Sequence, residues 1–186
     1  MKKFYKLLGL LIGLYIVTWV TLSSTQAGVL TLQIAAQQNS SLLTRVFVIL
    51  GANPKEAGED GMSALHFAGY LGADQVIPLL VVKGTPINLR DKDGRTALHL
   101  AAYSGQASAV AVLMDHKADP EIMENVGQMT ALHLAVSQKK SETVQVLLEK
   151  GAQPSPEEKN GYTPLFIAEN ENLDDIVAIL EKYSAR

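Results

Sequence analysis

The stretch that decides the fold is Thr-Ala-Leu-His-Leu-Ala at residues 96–101. Related copies occur along the chain, as LTLQIAA from Leu30, SALHFA from Ser63, TALHLA from Thr130 and TPLFIA from Thr163. The first residues of the copies, here called motif starts, are almost evenly spaced, with one additional residue between Thr96 and Thr130. Self-similarity at this period predicts a stack of two-helix repeats that bury their apolar faces only against one another.

A second apolar cluster follows each of the last four motif starts at the same offset, as expected for a second helix. These clusters are VIPLLV from Val76, AVAVLM from Ala109, TVQVLL from Thr143 and IVAIL from Ile176. On these motifs, the chain resembles the ankyrin-repeat family from residue 28 to residue 186.

The resemblance implies an all-α repeat solenoid of about five stacked helix-turn-helix units with finger loops between them. Five units follow from the spacing of the motifs, at approximately 28–57, 58–90, 91–123, 124–157 and 158–186. A signal or anchor helix precedes them at residues 1–27.

Each repeat is expected to form its first helix from a capped start. Thr96 and its equivalents can accept a hydrogen bond from a free backbone N–H of the first turn. Leu98 and Ala101 of the first helix, with Val110 and Leu113 of the second, are expected to face neighbouring repeats. No single repeat has enough apolar surface to stand alone, so the stack forms the core.

Two positions depart from the repeat pattern. Lys117 stands where other units have Gly51, Gly84 and Gly151, just past a helix end that commonly requires a left-handed backbone. If Lys117 adopts that conformation, its side chain should make it cost on the order of 1 kcal/mol. Pro78 falls inside the second helix of its unit, where proline removes a hydrogen bond, so we expect that helix to start late or bend.

The segment at 1–27 has the order of a secretory signal peptide. Lys2, Lys3 and Lys6 precede a mostly apolar run at 7–22, and small or polar residues follow up to Ala27. The run is shorter than the roughly 20 residues needed for a membrane span. We expect cleavage before Gly28, with an uncleaved inner-membrane anchor as the alternative. Either way the lysines stay in the cytoplasm, which places the repeats in the periplasm of a bacterium.

Charge and cysteine content restrict the possible partners. The segment at 1–27 holds three of the 16 basic residues and none of the 19 acidic ones, so the segment at 28–186 carries 13 against 19, a net charge of −6. This balance argues against nucleic acid and anionic membranes as partners, which both require a basic face. A membrane contact is expected only if the N-terminal segment is retained. The chain has no cysteine, which excludes disulfides and thiolate metal sites.

The recurring histidines are the obvious candidates for chemistry. His66, His99 and His133 each follow the leucine of their motif. The resemblance implies that they bridge loop and backbone groups between repeats, without binding metal or catalysing a reaction. His116 is expected to interact with a helix dipole. No nucleophile elbow, P-loop or H-E-x-x-H motif is present, so the sequence predicts no enzyme and no cofactor.

The resemblance implies a partner-binding surface on the concave side, formed by the finger loops and the exposed part of each first helix. Tyr70, Leu71 and Tyr103 form an apolar row typical of interaction anchors. Methionines and a tyrosine in the fingers either join this surface or pack on adjacent fingers. The full set of candidates on the first helices is Tyr70, Leu71, Tyr103, Ser104, Ser137 and Gln138, and in the fingers it is Met62, Arg90, Lys92, Arg95, Met129 and Tyr162.

The leading hypothesis is a monomeric, exported, non-catalytic module that binds a protein partner. Resemblance to exported bacterial ankyrin proteins implies that it protects, assists or inhibits that partner, for example as an immunity protein that blocks a toxin. One alternative is a membrane-tethered scaffold that organises an envelope complex. Another is a small hydrolase with an unrecognised site.

Overall fold

The computed structural model describes residues 25–49 and 52–184. Within these ranges the regular structure is helical, apart from an isolated β-bridge between Ala57 and Ser63. Most of the predicted signal or anchor segment, residues 1–24, lies outside the described residues. None of the helices in the described ranges is sufficiently long and apolar to cross a membrane.

The described residues form helices that follow one another in pairs. The first helix of each pair, here called inner, carries the repeated motif, and the second is called outer. The pairs are α1 (Thr25–Gln37) with α2 (Ser41–Ile49), α3 (Ala64–Leu71) with α4 (Ile77–Val82), α5 (Ala97–Ser104) with α6 (Ala107–Asp115), α7 (Ala131–Ser137) with α8 (Ser141–Glu149), and α9 (Pro164–Asn170) with α10 (Asp174–Ser184).

The pairs stack side by side. Each inner helix contacts the inner helix of the next pair, and each outer helix contacts the next outer helix. Leu98, Ala101, Val110 and Leu113 are all buried, which confirms the predicted inter-repeat faces. One continuous apolar core runs through the stack from α1 to α10, as a repeat solenoid requires.

The inner helices end in a left-handed residue at a constant place, nine positions after the motif start. These residues are Asn39, Gly72, Gly105, Lys139 and Asn172, with φ of 42°, 72°, 80°, 59° and 55°. Such a residue lets the chain reverse into the outer helix. The degenerate motif at Leu30 therefore shares the backbone pattern of the four clear motifs.

Both expected irregularities are present. Lys117 has φ of 67°, in the same region as Gly84 at 95° and Gly151 at 96°, whereas Gly51 lies outside the described residues. Helix α4 starts late, at Ile77, with Pro78 in its first turn. It has six residues where α6 and α8 have nine, because the proline is tolerated only at a helix start.

Candidate functional site

The caps of the inner helices combine the motif start with the residue three positions later. At Thr163 the hydroxyl accepts the backbone N–H of Phe166 at 3.2 Å, as predicted. Where that later residue is a histidine, its ring takes part in the cap. The backbone N–H of Thr96 donates to Nδ1 of His99 at 3.2 Å, and the Thr96 hydroxyl lies 2.9 Å from the same nitrogen.

The other ring nitrogen of each histidine reaches the finger of the next repeat. Because Nδ1 of His99 accepts a backbone N–H, Nε2 carries the hydrogen and donates to the carbonyl of Met129 at 3.2 Å. Equivalent bonds run from His66 to the carbonyl of Arg95 and from His133 to the carbonyl of Tyr162, both at 3.1 Å. The predicted bridging of repeats by these histidines is confirmed.

These contacts leave the motif histidines neutral and inaccessible. Burial lowers the pKa of His99 to about 4, and it also lowers the pKa of His66 and His133. Each ring is almost completely buried. At the end of α6, Nδ1 of His116 donates to the carbonyl of Val112 at 2.9 Å. Within the described ranges no cluster of three or more histidine and acidic side chains is placed to hold a metal ion.

The finger loops turn around buried carboxylates that the sequence analysis did not single out. One oxygen of Asp91 accepts the backbone N–H groups of Asp93 and Arg95, at 3.0 and 2.8 Å. Glu124 and Glu158 fill the same role in the next two fingers. At Glu124 burial raises the pKa, but three backbone N–H donors outweigh it and the net pKa is lowered. In the sequence, these carboxylates could have been recognised because an acidic residue lies five or six positions before each threonine motif start.

Neighbouring fingers are also bonded to one another through their backbones. The N–H of Lys92 donates to the carbonyl of Asp60 at 3.1 Å, and the N–H of Asn125 donates to the carbonyl of Asp93 at 2.8 Å. Arg90 strengthens this second junction, since its guanidinium donates to the carbonyl of Met123 at 2.7 Å and to the side chain of Asn125 at 3.0 Å. The fingers therefore form one bonded row.

Two of the predicted partner-binding cations are thus engaged within the protein. Arg90 links two fingers as described. Arg95 forms ion pairs with Asp91 at 2.9 Å and with Asp93 at 2.8 Å. Its charge is largely compensated, and its aliphatic part remains available for packing.

A groove of about 410 Å³ lies between the inner helices and the fingers. Tyr70 and Tyr103, each 45% exposed, lie on its helical wall. Arg95 and Met129 lie on its finger wall, so the structure brings four of the predicted residues together. Val126 adds an exposed apolar side chain that was not predicted, from the finger with the extra residue.

The remaining predicted residues do not line this groove. Leu71 is exposed at the end of α3, and Lys92 is exposed in its finger, while Met62 is half-buried. Tyr162 is exposed and stacks on Phe166, with ring centroids 4.5 Å apart.

Three polar candidates lie at the ends of the inner helices. The hydroxyls of Ser104 and Ser137 donate to carbonyls of their own helices, those of Leu100 and Leu134, at 2.8 and 3.0 Å. Gln138 follows the end of α7, and its amide lies 3.5 Å from the Ser137 hydroxyl. These side chains therefore contribute less free hydrogen-bonding capacity than their types suggest.

Comparison with known protein families agrees with the stack of helix pairs described above. Residues 32–124 and 120–186 each match the family described as Ankyrin repeats (3 copies). Among curated proteins, none matches this sequence. The two matched stretches together cover most of the chain, and they contain every helix from α2 to α10. The chain belongs to the ankyrin-repeat family.

Proposed function

We propose that this protein binds a partner protein through its concave surface and catalyses no reaction. Ankyrin repeats are generally modules for protein–protein interaction, and they are typically non-catalytic. The observation that supports this surface is the groove between Tyr70 and Tyr103 on one wall and Met129 and Val126 on the other. Large, half-exposed aromatic side chains beside a concave apolar surface are typical of binding hot spots.

Hydrogen bonds within the protein hold the finger wall of the groove in position without a partner. Its finger wall is fixed by the buried Glu124 carboxylate, which accepts backbone N–H groups, and by the bonds from Arg90 to the next finger. A rigid surface loses less conformational entropy when it binds. Because Asp91 and Asp93 compensate the charge of Arg95, we expect apolar contacts to contribute most of the binding free energy at the centre of the groove.

Affinity capture with a double variant tests this proposal. Tyr70→Ala combined with Tyr103→Ala removes both aromatic side chains from the helical wall. Since hot-spot truncations cost about 2 kcal/mol or more each, we expect the captured partner to fall by at least about tenfold. Tyr162→Ala is the matched comparison, because Tyr162 is equally exposed and was also predicted to bind the partner, but does not line the groove. If the double variant captures the same proteins as the wild type, the groove is not the binding surface.

Export is part of the proposal and is supported by the order of charged, apolar and small residues at 1–27. We place the repeats in the periplasm, with a role in protecting or inhibiting the partner. N-terminal sequencing of the mature protein distinguishes a start at Gly28 from a retained Met1. An assay of the captured partner with and without the protein then shows whether binding inhibits it.

The repeat number also belongs to the proposal. We count α1 and α2 as a first repeat, which makes five, because Asn39 ends α1 with the same left-handed backbone as the other inner helices. A membrane-tethered scaffold is the second candidate function. It is supported by the exposed apolar side chains of α2 and α4.

A further inference from the structure

The outer helices differ in charge along the stack. Helices α2 and α4 contain no acidic residue. Helices α6, α8 and α10 contain one, two and three acidic residues, respectively. The outer helices therefore contain more acidic residues toward the C-terminus, and those of the first two repeats contain none.

One register position shows this contrast most directly, in the last turn of the outer helix. The first two repeats place Ile49 and Val82 there, and these side chains are 81% and 78% exposed. The later repeats place Asp115, Glu149 and Lys182 at the same position. A charged residue is thus compatible with this backbone position, so the scaffold does not require the isoleucine or the valine.

The exposed apolar surface extends along the whole of α2. Leu42, Val46 and Ile49 are spaced i, i+4 and i+7, which places them on one face of the helix. All three are exposed, and Leu42 is 70% exposed. Scattered single apolar side chains are ordinary on a protein surface, but a continuous face of this kind marks a contact surface. We call Leu42, Val46, Ile49 and Val82 the convex apolar patch.

Three basic side chains lie on or near this patch, and one carboxylate, that of Glu56, lies close to Gly28 at the start of α1. Arg45 is exposed on α2 between Leu42 and Val46, and Lys83 is exposed directly after Val82. The Lys55 side chain lies beside the same turn, since a Cβ built on Gly84 would be 2.8 Å from its Cε. Apolar side chains flanked by lysine and arginine are typical of surfaces that lie at a bilayer interface, where the cations reach the anionic headgroups.

Most of the patch also lies in the same pair of helices as α1, the first described helix. A Cβ built on Gly28, in the first turns of α1, would be 3.5 Å from Cα of Ala52, which follows shortly after Ile49. The apolar run at 7–22 ends just before α1 begins at Thr25. The start of α1, which follows the apolar run in the sequence, therefore lies close to the chain just after α2.

We infer that the convex apolar patch contacts the surface of an anionic bilayer, which rests on the second candidate function, in which the N-terminal segment is retained as a tether. The net negative charge of the domain is concentrated elsewhere, and the acidic residues of α6, α8 and α10 disfavour contact of the later repeats with anionic lipid. The first two repeats then lie against the membrane, and the concave groove remains accessible to a partner. This inference concerns a different surface from the proposed protein-binding groove.

Site-directed fluorescence tests the inference, and the absence of cysteine from the chain makes single labelling possible. Ile49→Cys and Val82→Cys are labelled with an environment-sensitive dye in the full chain, reconstituted in vesicles of phosphatidylcholine and phosphatidylglycerol. Asp115→Cys and Glu149→Cys are matched controls at the same register position. All four side chains are exposed, so circular dichroism should show an unchanged fold.

We expect blue-shifted emission at positions 49 and 82, together with a loss of intensity when the lipid acyl chains carry a nitroxide quencher. We expect neither change at positions 115 and 149. Aqueous emission at all four positions overturns the inference. A blue shift without quenching by the lipid also overturns it, since the patch is then covered by protein. Neither result affects the capture experiment with Tyr70 and Tyr103, so the two proposals fail independently.

Discussion

The middle repeats and the last repeat use the same motif position in different ways. In the three middle repeats, His66, His99 and His133 are buried, and each bonds to a backbone carbonyl of the next finger. In the last motif Phe166 occupies this position, is 45% exposed, and stacks on Tyr162. The comparison shows that the histidine is a junction residue. Its polarity is needed where a carbonyl of the next finger must be satisfied.

The largest expected effect comes from removing one of these junctions. His99→Ala leaves the Thr96 N–H without its acceptor and the Met129 carbonyl without one donor, and it opens a cavity in the core. We expect the free energy of unfolding to fall by about 4 kcal/mol. Phe166→Ala is the control at the same position and should cost about 1 kcal/mol, because its ring is half-exposed. Equal losses in urea unfolding would contradict the distinction between the two regions.

Acid should weaken the same junctions without any mutation. The pKa of His99 is lowered from 6.5 to about 4 in the folded state, so the unfolded chain binds more protons between these values. The contribution of neutral His99 to the free energy of unfolding is therefore fully present above pH 6.5 and is lost as the pH falls toward 4. Below pH 4 the residue causes no further loss, because the folded state is then protonated as well. The loss approaches about 3 kcal/mol for His99, at about 1.4 kcal/mol per pH unit.

The burial of His66 and His133 lowers their pKa as well, so they add to the loss in the same direction. The free energy of unfolding should be measured by denaturant titration between pH 7 and 4.5. His99→Gln has no ring to titrate, and its pH slope should be shallower than that of the wild type. An identical slope in the variant would show that other groups cause the acid sensitivity.

The contact between α3 and α5 offers a third test, because a glycine of α3, Gly69, lies against the backbone at the start of α5. A Cβ on Gly69 would collide with the backbone carbonyl oxygen of Ala97. The same register position holds Ala102 in the next repeat, so a Cβ is accommodated there but not at Gly69. Glycine to alanine normally stabilises a helix by about 1 kcal/mol. Here we expect Gly69→Ala to lower the free energy of unfolding by about 2 kcal/mol. A rise in the melting temperature would show that the junction can relax.

The sequence predicted those features that depend on local backbone rules. The helix pairs follow from the repeat period, the left-handed Lys117 follows from the glycines at its register position, and the late start of α4 follows from Pro78. The roles of the finger residues could not be derived in this way. Arg90 was predicted to bind a partner, yet its guanidinium bonds to Met123 and Asn125 in the next finger along the chain. Such contacts depend on how two fingers meet, which the period alone does not determine.

The candidate site was predictable to the same extent. Tyr70 and Tyr103 could be predicted to lie together because they share one register position, and both line the groove. Val126 could not be placed, because its finger has one residue more than the others. That extra residue puts Gln128 at the position two before the motif start, where the other fingers have Gly61, Gly94 and Gly161. The structure shows all four with positive φ, which is 55° at Gln128.

The smallest expected effects come from Lys117 and Gln128, two of the positions where a long side chain replaces a left-handed glycine. Lys117 has φ of 67° and Gln128 has φ of 55°, and a non-glycine residue in this region costs about 1 kcal/mol. Glycine relieves that strain but gives the unfolded chain more freedom, which offsets part of the gain. Lys117→Gly and Gln128→Gly should therefore each leave the melting temperature unchanged or raise it slightly.

The reverse change isolates the backbone contribution. Gly151 stands at the register position of Lys117, and a Cβ there would meet no atom within 4 Å. Gly151→Ala introduces no clash, so its cost of about 1 kcal/mol comes from the left-handed backbone alone. A clear fall in the melting temperature of both variants would contradict the expected result for Lys117→Gly. The lysine side chain would then stabilise the third repeat through contacts that outweigh the cost of its left-handed backbone.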